Sequence, residues 1–333
     1  MRRKALFVYL AVDLGGTNIR AAVVNHTGTI LHRIQIPTPA EKGAEQVLNS
    51  LCELMKRILQ DYGSYYSIQA IGIGSPGCID VETGTVLFAT QTLPGWKGTN
   101  LRKVVETKFH LPVFVDNDAN AAAYGEKCYG VGKNTTNFIT LTIGTGVGGG
   151  IIIDNEVYRG YQFYAGEIGH MIICYNGPAC NCGSSGCLES YLGAPALVKN
   201  TQIALRSKKN LPQQEWGAIL RNLVDNDLDQ LTPKIICQAA RKKDLLAQQI
   251  IADAGYYLGV GLSSLINLFS PEKIAIGGGI AQAGNLLLNP ARKVVKNHTL
   301  FIAERNIPIL PAQLGPDAGL IGAAMLAKKY IHP

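Results

Sequence analysis

Residues 7–18 read FVYLAVDLGGTN, an apolar run that ends in an aspartate, two glycines and a threonine. A short apolar run that stops at glycines is typical of a buried strand followed by a tight turn. The glycines let the backbone point N–H groups at an anion, Thr17 offers a hydroxyl, and Asp13 can reach a magnesium ion directly or through water. A simple glycine hairpin after a strand explains this run equally well.

A second run of the same kind lies further along the chain. Residues 138–150 read FITLTIGTGVGGG, again a predicted strand followed by glycines and a threonine. Two such elements suggest two hairpins that grip a polyphosphate from opposite sides. Neither matches GxxxxGK[ST] or a GxGxxG that opens a helix, so P-loop NTPases and Rossmann dehydrogenases are disfavoured. A glycine-rich bend between paired strands is the alternative.

The rest of the chain alternates between strand and helix patterns. Apolar runs end in glycine again at 70–74 and 273–279. Apolar residues spaced by three and four, the pattern of an amphipathic helix, run through 43–61, 250–269 and 318–330. This alternation predicts layers of helices on sheets, the α/β class.

Length and charge narrow the class of protein. The 333 residues suggest two domains, and the formal net charge is +7. The basic residues are scattered, which favours a solvated surface over a nucleic-acid site. No apolar stretch is long enough to span a bilayer, and residues 1–12 are interpreted as a first strand because no cleavage site follows them. We therefore expect a cytoplasmic protein with no nucleic-acid or membrane partner.

A cluster of polar residues follows one predicted strand. Residues 113–123 read VFVDNDANAAA, so an apolar strand delivers two carboxylates and two amides to the start of an alanine-rich helix. Asn117 or Asp118 could serve only as a helix cap. Four polar side chains exceed what a cap needs. A carboxylate at a strand end beside glycine loops is well placed to take a proton from a hydroxyl nucleophile.

Three of the eight cysteines lie close together in the sequence. With a histidine upstream they form a set of four candidate ligands: His170, Cys180, Cys182 and Cys187. Four such ligands are what a structural, tetrahedral zinc ion takes. Without a secretion signal, a metal site is favoured over a disulfide framework. Zinc would also fix Glu167 and Glu189, which flank the ligands, although either could simply be a solvated carboxylate.

These elements, in this order, resemble the ROK family of sugar kinases and repressors, within the actin-like ATPase superfamily. The similarity is greatest to its bacterial ATP-dependent glucokinases. The matching motifs are DxGGT at 13–17, GIGSPG at 72–77, the Asn-Asp pair at 117–118 and GEIGH at 166–170. The resemblance extends from Asp13 to about Gly322, and Leu192 departs from the smaller residue found in many relatives.

The resemblance implies a two-lobed α/β fold of the actin-like ATPase (ribonuclease H-like) type with a structural zinc site. The expected first lobe is 1–117, joined by the C-terminal helix 317–333. The expected second lobe is 118–316, with the zinc loop and a helical elaboration at 200–246. A homodimer is also expected.

The activity that the resemblance implies is ATP-dependent phosphorylation of glucose at the 6-hydroxyl, with Mg²⁺ and a structural Zn²⁺. Asp118 would be the general base, and the sugar contacts would be Asn117, Asp118, Glu167, His170 and Glu189. His170 would use its other nitrogen on the zinc, together with Cys180, Cys182 and Cys187. The nucleotide contacts would be Asp13, Gly15, Gly16, Thr17, Gly144, Thr145, Gly146 and Gly278.

Four alternatives stay open. The kinase could act on another hexose or amino sugar, such as N-acetylmannosamine or fructose, or use polyphosphate as donor. The family also contains sugar-responsive repressors, but these need an N-terminal DNA-binding domain, for which the 12 residues before Asp13 leave no room. A purely structural zinc protein would leave the glycine hairpins and the pair Asn117 and Asp118 unexplained.

Overall fold

Two α/β units make up the part of the chain that the computed structural model describes, residues 6–89, 93–207, 216–300 and 306–332. The first unit takes in 1–136, 150–166 and 313–333, and the second takes in 137–149 and 167–312. The lobe boundary expected after residue 117 stays a prediction. By its contacts, the helix that begins at Asp118 groups with the first unit.

The strands, in chain order, are β1 (Leu6–Leu14), β2 (Asn18–Asn25), β3 (Ile30–Pro37), β4 (Tyr66–Ser75), β5 (Cys78–Asp80), β6 (Thr85–Phe88), β7 (Val113–Asn117), β8 (Phe138–Ile143), β9 (Val147–Ile153), β10 (Glu156–Val157), β11 (Lys273–Gly277) and β12 (Ile309–Pro311). The helices are α1 (Gly43–Tyr62), α2 (Leu101–Phe109), α3 (Asp118–Tyr129), α4 (Glu189–Leu192), α5 (Ala194–Ser207), α6 (Ala218–Leu223), α7 (Pro233–Arg241), α8 (Leu245–Phe269), α9 (Asn285–His298) and α10 (Ala318–Ile331).

The first unit is built on a five-stranded sheet in the order β3-β2-β1-β4-β7. β1, β2 and β3 form an antiparallel meander, whereas β4 is parallel to β1 and β7 is parallel to β4. The central strands are almost continuously apolar because both of their faces are covered. The apolar face of α1, which includes Val47, Leu51, Met55 and Ile58, joins β1 and β4 in one buried core.

The C-terminal helix α10 packs closely on the first sheet and on α3. A Cβ built on Gly72 of β4 would lie 1.9 Å from the carbonyl oxygen of Ala323, and one on Gly322 would lie 1.6 Å from that of Ala121. Backbones approach this closely only where no side chain intervenes. The small residues of α10 thus explain why the end of the chain groups with the first unit.

In the second unit, β11 lies between β8 and β12 and is parallel to both. The helix α8 packs along α9, where a Cβ on Gly255 would lie 2.3 Å from the carbonyl oxygen of Leu287. Although α8 has 25 residues, neither it nor any other helix among the described residues combines the length and the apolar character that crossing a membrane requires.

The helices predicted from periodicity are confirmed, with small differences at their ends. The predicted helices 43–61 and 318–330 each extend one residue further, as α1 and α10. The helix predicted from residue 250 begins at Leu245, because the Asp244 side chain caps it by accepting the N–H of Ala247. The region 200–246 contains the end of α5 together with α6 and α7, while 208–215 lie outside the described residues.

Candidate active site

Three parallel strands of the first unit end side by side. Asp13 of β1 lies opposite Gly74 of β4, and Gly74 lies opposite Asp116 of β7. Ligands of open α/β sheets bind beyond the carboxyl ends of the strands. This register places the loop after β1 and the start of α3 at the same edge of the sheet.

The carboxylate of Asp13 is buried and paired. Its side chain forms an ion pair with Arg20, which lies opposite Asp13 in the β1–β2 hairpin. Burial raises the pKa of the Asp13 carboxyl, while the charge and hydrogen bond of Arg20 act against that rise. Arg20 was not among the residues predicted from the sequence; a hairpin whose central turn residues are Gly16 and Thr17 has the register that pairs it with Asp13.

The loop after β1 is held by hydrogen bonds to its backbone and has open space beside Gly16. The N–H of Gly15 donates to the carbonyl of Asn18 at 2.9 Å, which closes the turn. Thr38 holds the loop from behind, because its hydroxyl donates to Gly15 O at 2.7 Å and its N–H donates to Thr17 O at 2.9 Å. A Cβ on Gly16 would meet no atom within 4 Å. A ligand can therefore approach this backbone closely.

Asp116 anchors the junction between β7 and α3. It is 1% exposed, and Arg159 donates to its Oδ2 through Nε at 3.0 Å and Nη2 at 2.5 Å. Its Oδ1 accepts the Asn120 amide at 3.1 Å and the Asn117 N–H at 2.8 Å. These bonds satisfy a buried charge. Sequence reasoning missed Arg159, which lies 43 residues further on and carries no local signal.

Asn117 caps helix α3. Its Oδ1 accepts the N–H groups of Ala119 at 2.9 Å and Asn120 at 3.1 Å, and its Nδ2 donates to Gly77 O at 3.1 Å. The capping role considered for this residue is thereby confirmed. The bond to Gly77 also ties the GIGSPG motif to the start of α3. The role of Asn117 in sugar binding stays a prediction.

Asp118 is the first residue of α3, at the edge where β4 and β7 end. The Oδ1 atom accepts the N–H of Ala119 at 2.9 Å, and the side chain is half-buried. A helix N-terminus interacts favourably with negative charge. Gly74 lies next to this residue, since a Cβ there would be in van der Waals contact with the Asp118 Cα at 3.4 Å. An ionised carboxylate at this place can accept a proton from a hydroxyl.

In the second unit, two glycine-rich segments meet at the end of the sheet. β8 and β11 are parallel neighbours, and the segments follow them directly. Gly278 has φ +88°, and a Cβ there would lie 2.3 Å from Ile143 O. Gly144 and Gly279 instead border open space, with no atom within 4 Å of a built Cβ. Backbone is thus accessible on this edge, which suits a phosphate or a flat ring.

The loop between β8 and β9 is held by Glu189. The N–H of Gly144 donates to Gly146 O at 2.9 Å, and that of Val147 donates to Glu189 Oε2 at 2.9 Å. Ala194 adds a bond from its N–H to Gly144 O at 2.9 Å. The start of α4 and the residue that begins α5 therefore fix the shape of this loop.

The four predicted zinc ligands come together in the second unit. The ligand atoms of His170, Cys180, Cys182 and Cys187 all lie within 4.8 Å of one another. His170 Nδ1 is 3.7 Å from Cys180 Sγ, and Cys182 Sγ is 3.7 Å from Cys187 Sγ. Zinc–sulfur bonds of about 2.3 Å in a tetrahedron separate the sulfurs by about 3.8 Å. The donor set and its spacing fit a zinc ion.

The pKa values of two thiols in this cluster are shifted in opposite directions. Burial, together with the neighbouring thiols, raises the pKa of Cys187 to about 12. A hydrogen bond from the Ser184 backbone instead lowers the pKa of Cys182. Zinc binds thiolates, so it would displace the Cys187 proton on binding.

Glu167 lies in the second unit on a short 3₁₀ turn that runs through His170. Its side chain is exposed, and its carbonyl accepts the N–H of His170 at 3.0 Å. The turn packs against β9, since a Cβ on Gly169 would lie 2.0 Å from Val147 O. Of the predicted sugar contacts, Asn117 and Asp118 belong to the first unit, and Glu167, His170 and Glu189 belong to the second.

Comparison with known proteins gives a consistent result. The model of the ROK family matches residues 9–330. A glucokinase of Halalkalibacterium halodurans is 35% identical over 96% of this chain and 95% of its own length. A xylose repressor of Caldicellulosiruptor bescii is 33% identical over 94% of this chain and 76% of its own length.

Among solved structures, a ROK family glucokinase from Streptomyces griseus in complex with glucose and AMPPNP matches with a TM-score of 0.84. It is 37% identical, and the match covers 97% of this chain and 99% of that one. The α/β fold class expected from the sequence is confirmed. Because the family model spans nearly all of the sequence, the chain belongs to the ROK family.

Proposed function

We propose that this protein is a glucose kinase that transfers the γ-phosphoryl group of ATP to the 6-hydroxyl of glucose. The observation that carries the proposal is the match to the Streptomyces griseus glucokinase with glucose and AMPPNP, 37% identical over 97% of this chain. AMPPNP is an analogue of ATP, and so the relative supports both substrates. The carboxylate of Asp118 and the glycine loops provide the groups that this reaction needs, a base and phosphate-binding backbone.

Asp118 is the proposed general base. Its carboxylate accepts the proton of the sugar 6-hydroxyl as that oxygen forms a bond to the γ-phosphorus. The bond from the γ-phosphorus to the β,γ-bridging oxygen breaks, and ADP leaves. Such a base contributes about 10²–10⁴-fold, and orientation and charge stabilisation contribute the rest. The bond from the Ala119 N–H keeps the carboxylate oriented.

The glycine loops are the proposed nucleotide contacts. The N–H groups of Gly15 and Gly144 are used inside their own turns. Phosphate oxygens would therefore be bound by the N–H groups of Gly16, Thr17, Thr145 and Gly146. Gly278 would allow close approach of the adenosine. The magnesium ion that accompanies ATP neutralises phosphate charge. Asp13 would contribute through Oδ1, because its Oδ2 is paired with Arg20.

The sugar contacts are proposed from the polar side chains of the motifs. His170 directs Nδ1 toward Cys180, so its Nε2 is the nitrogen proposed to bind a sugar hydroxyl. Asn117, Glu167 and Glu189 are the other proposed contacts. Hydroxyls of a sugar are bound in this way by carboxylates and amides that are themselves held in place.

His170, Cys180, Cys182 and Cys187 are proposed to hold a zinc ion. When bound, the ion supplies structural stability rather than reactivity, since four protein ligands close its coordination shell. Fixing the cluster would also fix the ring of His170 and the start of α4.

A panel of sugars tests the proposed specificity. The purified protein is assayed for ADP release from MgATP with glucose, mannose, fructose, N-acetylglucosamine and N-acetylmannosamine. We expect the highest kcat/KM with glucose. A higher value with N-acetylmannosamine or fructose would mean that this sugar, rather than glucose, is the substrate. The proposed phosphoryl transfer would be unaffected.

The similarity to a xylose repressor supports a second candidate, a sugar-responsive regulator. A regulator would bind DNA with an affinity that falls steeply with salt, whereas a kinase would turn over ATP in the presence of sugar. Measuring both on the same preparation separates the two functions.

We further propose that the protein works in the cytoplasm as a homodimer. Two features support the cytoplasm as its location. ATP is the proposed donor, and a cysteine-rich zinc site is favoured where thiols stay reduced. The dimer is proposed by analogy with the family alone, and sedimentation equilibrium measures it directly.

A further inference from the structure

Glu189 occupies the junction between two parts of the second unit. One carboxylate oxygen, Oε2, accepts the N–H of Val147 at 2.9 Å. The other, Oε1, lies 4.0 Å from the Sγ of Cys180 in the His/Cys cluster. A single side chain thus contacts both the candidate phosphate loop and the candidate zinc site.

The contact with Val147 determines which groups of the loop face a ligand. The N–H groups of Gly144 and Val147 are used inside the protein, by Gly146 O and by Glu189. Within the described part of the chain, this leaves the N–H groups of Thr145 and Gly146 as the candidate donors to phosphate. A loop binds an anion well only when its N–H groups are already aligned, because aligning them on binding costs conformational entropy.

Packing around Glu189 shows how closely the loop and α4 fit. A Cβ on Gly146 would lie 2.4 Å from Glu189 Oε2, and one on Gly193 would lie 3.1 Å from Thr145 O. The Gly193 N–H also donates to the Glu189 carbonyl at 2.8 Å. The side chain of Glu189 therefore braces the loop, and Gly193 at the end of α4 packs against it.

We propose that Glu189 is a positioning residue for the nucleotide, in addition to its proposed contact with the sugar. Its carboxylate holds the loop 144–147 in the shape that presents N–H groups to phosphate, and it joins that loop to the His/Cys cluster. This inference rests on the proposed function, because it takes the loop as the nucleotide site. It predicts that nucleotide affinity depends on Glu189 even when no sugar is present.

The test is calorimetric titration of MgAMPPNP into the zinc-loaded protein without sugar. Glu189→Ala removes the acceptor of the Val147 N–H, and we expect it to weaken nucleotide binding roughly tenfold. Glu189→Gln keeps an oxygen that can accept this N–H, and we expect its nucleotide affinity to stay within about twofold of the unchanged protein. Glu167→Ala is the matched control: it removes another proposed sugar carboxylate and should leave nucleotide affinity unchanged.

A second variant, Gly146→Ala, keeps the test decisive if Glu189→Ala does not fold, because unchanged nucleotide affinity in Gly146→Ala alone would overturn the proposal. Where Glu189→Ala folds, the double variant adds a further comparison. In Gly146→Ala the added methyl group occupies the place of Oε2 and pushes the carboxylate away from Val147. It should weaken nucleotide binding in the presence of Glu189 and have little further effect in the Glu189→Ala background, where the space is free. Additive losses in the double variant would mean that the two residues act separately, and would overturn the proposal.

The outcomes separate this inference from the proposed function. If the unchanged protein does not bind MgAMPPNP, the kinase proposal itself fails. If the unchanged protein binds it and Glu189→Ala binds it equally well, the kinase proposal stands and the positioning role is wrong. Equal losses in Glu189→Ala and Glu189→Gln would also contradict the role, because the charge rather than the bond to Val147 would then matter.

Discussion

Three neighbouring polar residues have different roles in the structure: Asp116, Asn117 and Asp118. The sequence predicted that this cluster exceeds the needs of a helix cap, and the structure separates the roles. Asn117 is the cap, Asp116 is buried in bonds to Arg159 and Asn120, and Asp118 lies at the strand-end edge. The motif could be found from the sequence, but the burial of Asp116 depends on a partner that no local pattern reveals.

Asp118→Asn tests the proposed base. The amide oxygen can still accept the Ala119 N–H, so α3 should keep its start, but the amide cannot take up a proton. We expect kcat to fall by about 10²–10⁴-fold while the glucose dissociation constant, measured by calorimetry, stays close to its original value. Asp61→Asn, an exposed carboxylate on α1, is the control and should keep full turnover. Near-normal turnover in Asp118→Asn would remove this residue from the mechanism.

Gly278→Ala tests the backbone of the second glycine segment. Its φ of +88° is unfavourable for alanine, and the added Cβ would lie 2.3 Å from a backbone oxygen. We expect the free energy of unfolding, measured in urea, to drop by at least about 1 kcal/mol. Gly279→Ala is the matched control, since its φ is −63° and its Cβ would meet open space. Equal stability of the two variants would contradict the structure at this turn.

At the scale of elements, the spacing of apolar residues predicted the helices, because this pattern depends only on residues that are close in the sequence. The helix 43–61 was predicted because its apolar residues recur every three or four positions, and it forms as α1. The early start of α8 was missed because the cap Asp244 stands apart from the apolar pattern on which the prediction rested. The bond from Val147 to Glu189 joins segments 42 residues apart, and spacing alone does not indicate it.

The segment from Glu167 to Glu189 is expected to depend on zinc for its order. Cys182→Ser removes one ligand of the cluster, so the protein should bind less zinc, melt at a lower temperature and lose glucose affinity through His170 and Glu189. Atomic absorption and thermal melting measure the first two effects, and calorimetry measures the third.

Cys174→Ser is the control for the zinc prediction. This exposed cysteine lies six residues before Cys180 and outside the four-residue cluster, so its replacement should preserve zinc content and melting temperature. If Cys182→Ser also retains the metal and the melting temperature, the cluster is not a structural zinc site.

At the scale of the molecule, the α/β fold class and the family were predictable from the sequence. The contacts between residues far apart in the chain came only from the structure. Small residues of α10 return the chain end to the first unit, and Arg159 bonds across that unit to Asp116. The net charge of +7 carries little weight beside the family match, because the basic residues are scattered over the sequence. At most it suits an anionic nucleotide.

The most direct test of glucose phosphorylation by ATP is a product analysis of one reaction. Purified protein is incubated with MgATP and glucose, and ADP and the phosphorylated sugar are quantified by ³¹P NMR. We expect equal amounts of ADP and glucose 6-phosphate, with no comparable ADP formed when glucose is omitted. ADP released without glucose 6-phosphate would contradict this expectation. So would a lack of glucose 6-phosphate with MgATP when a parallel incubation with polyphosphate and glucose forms it.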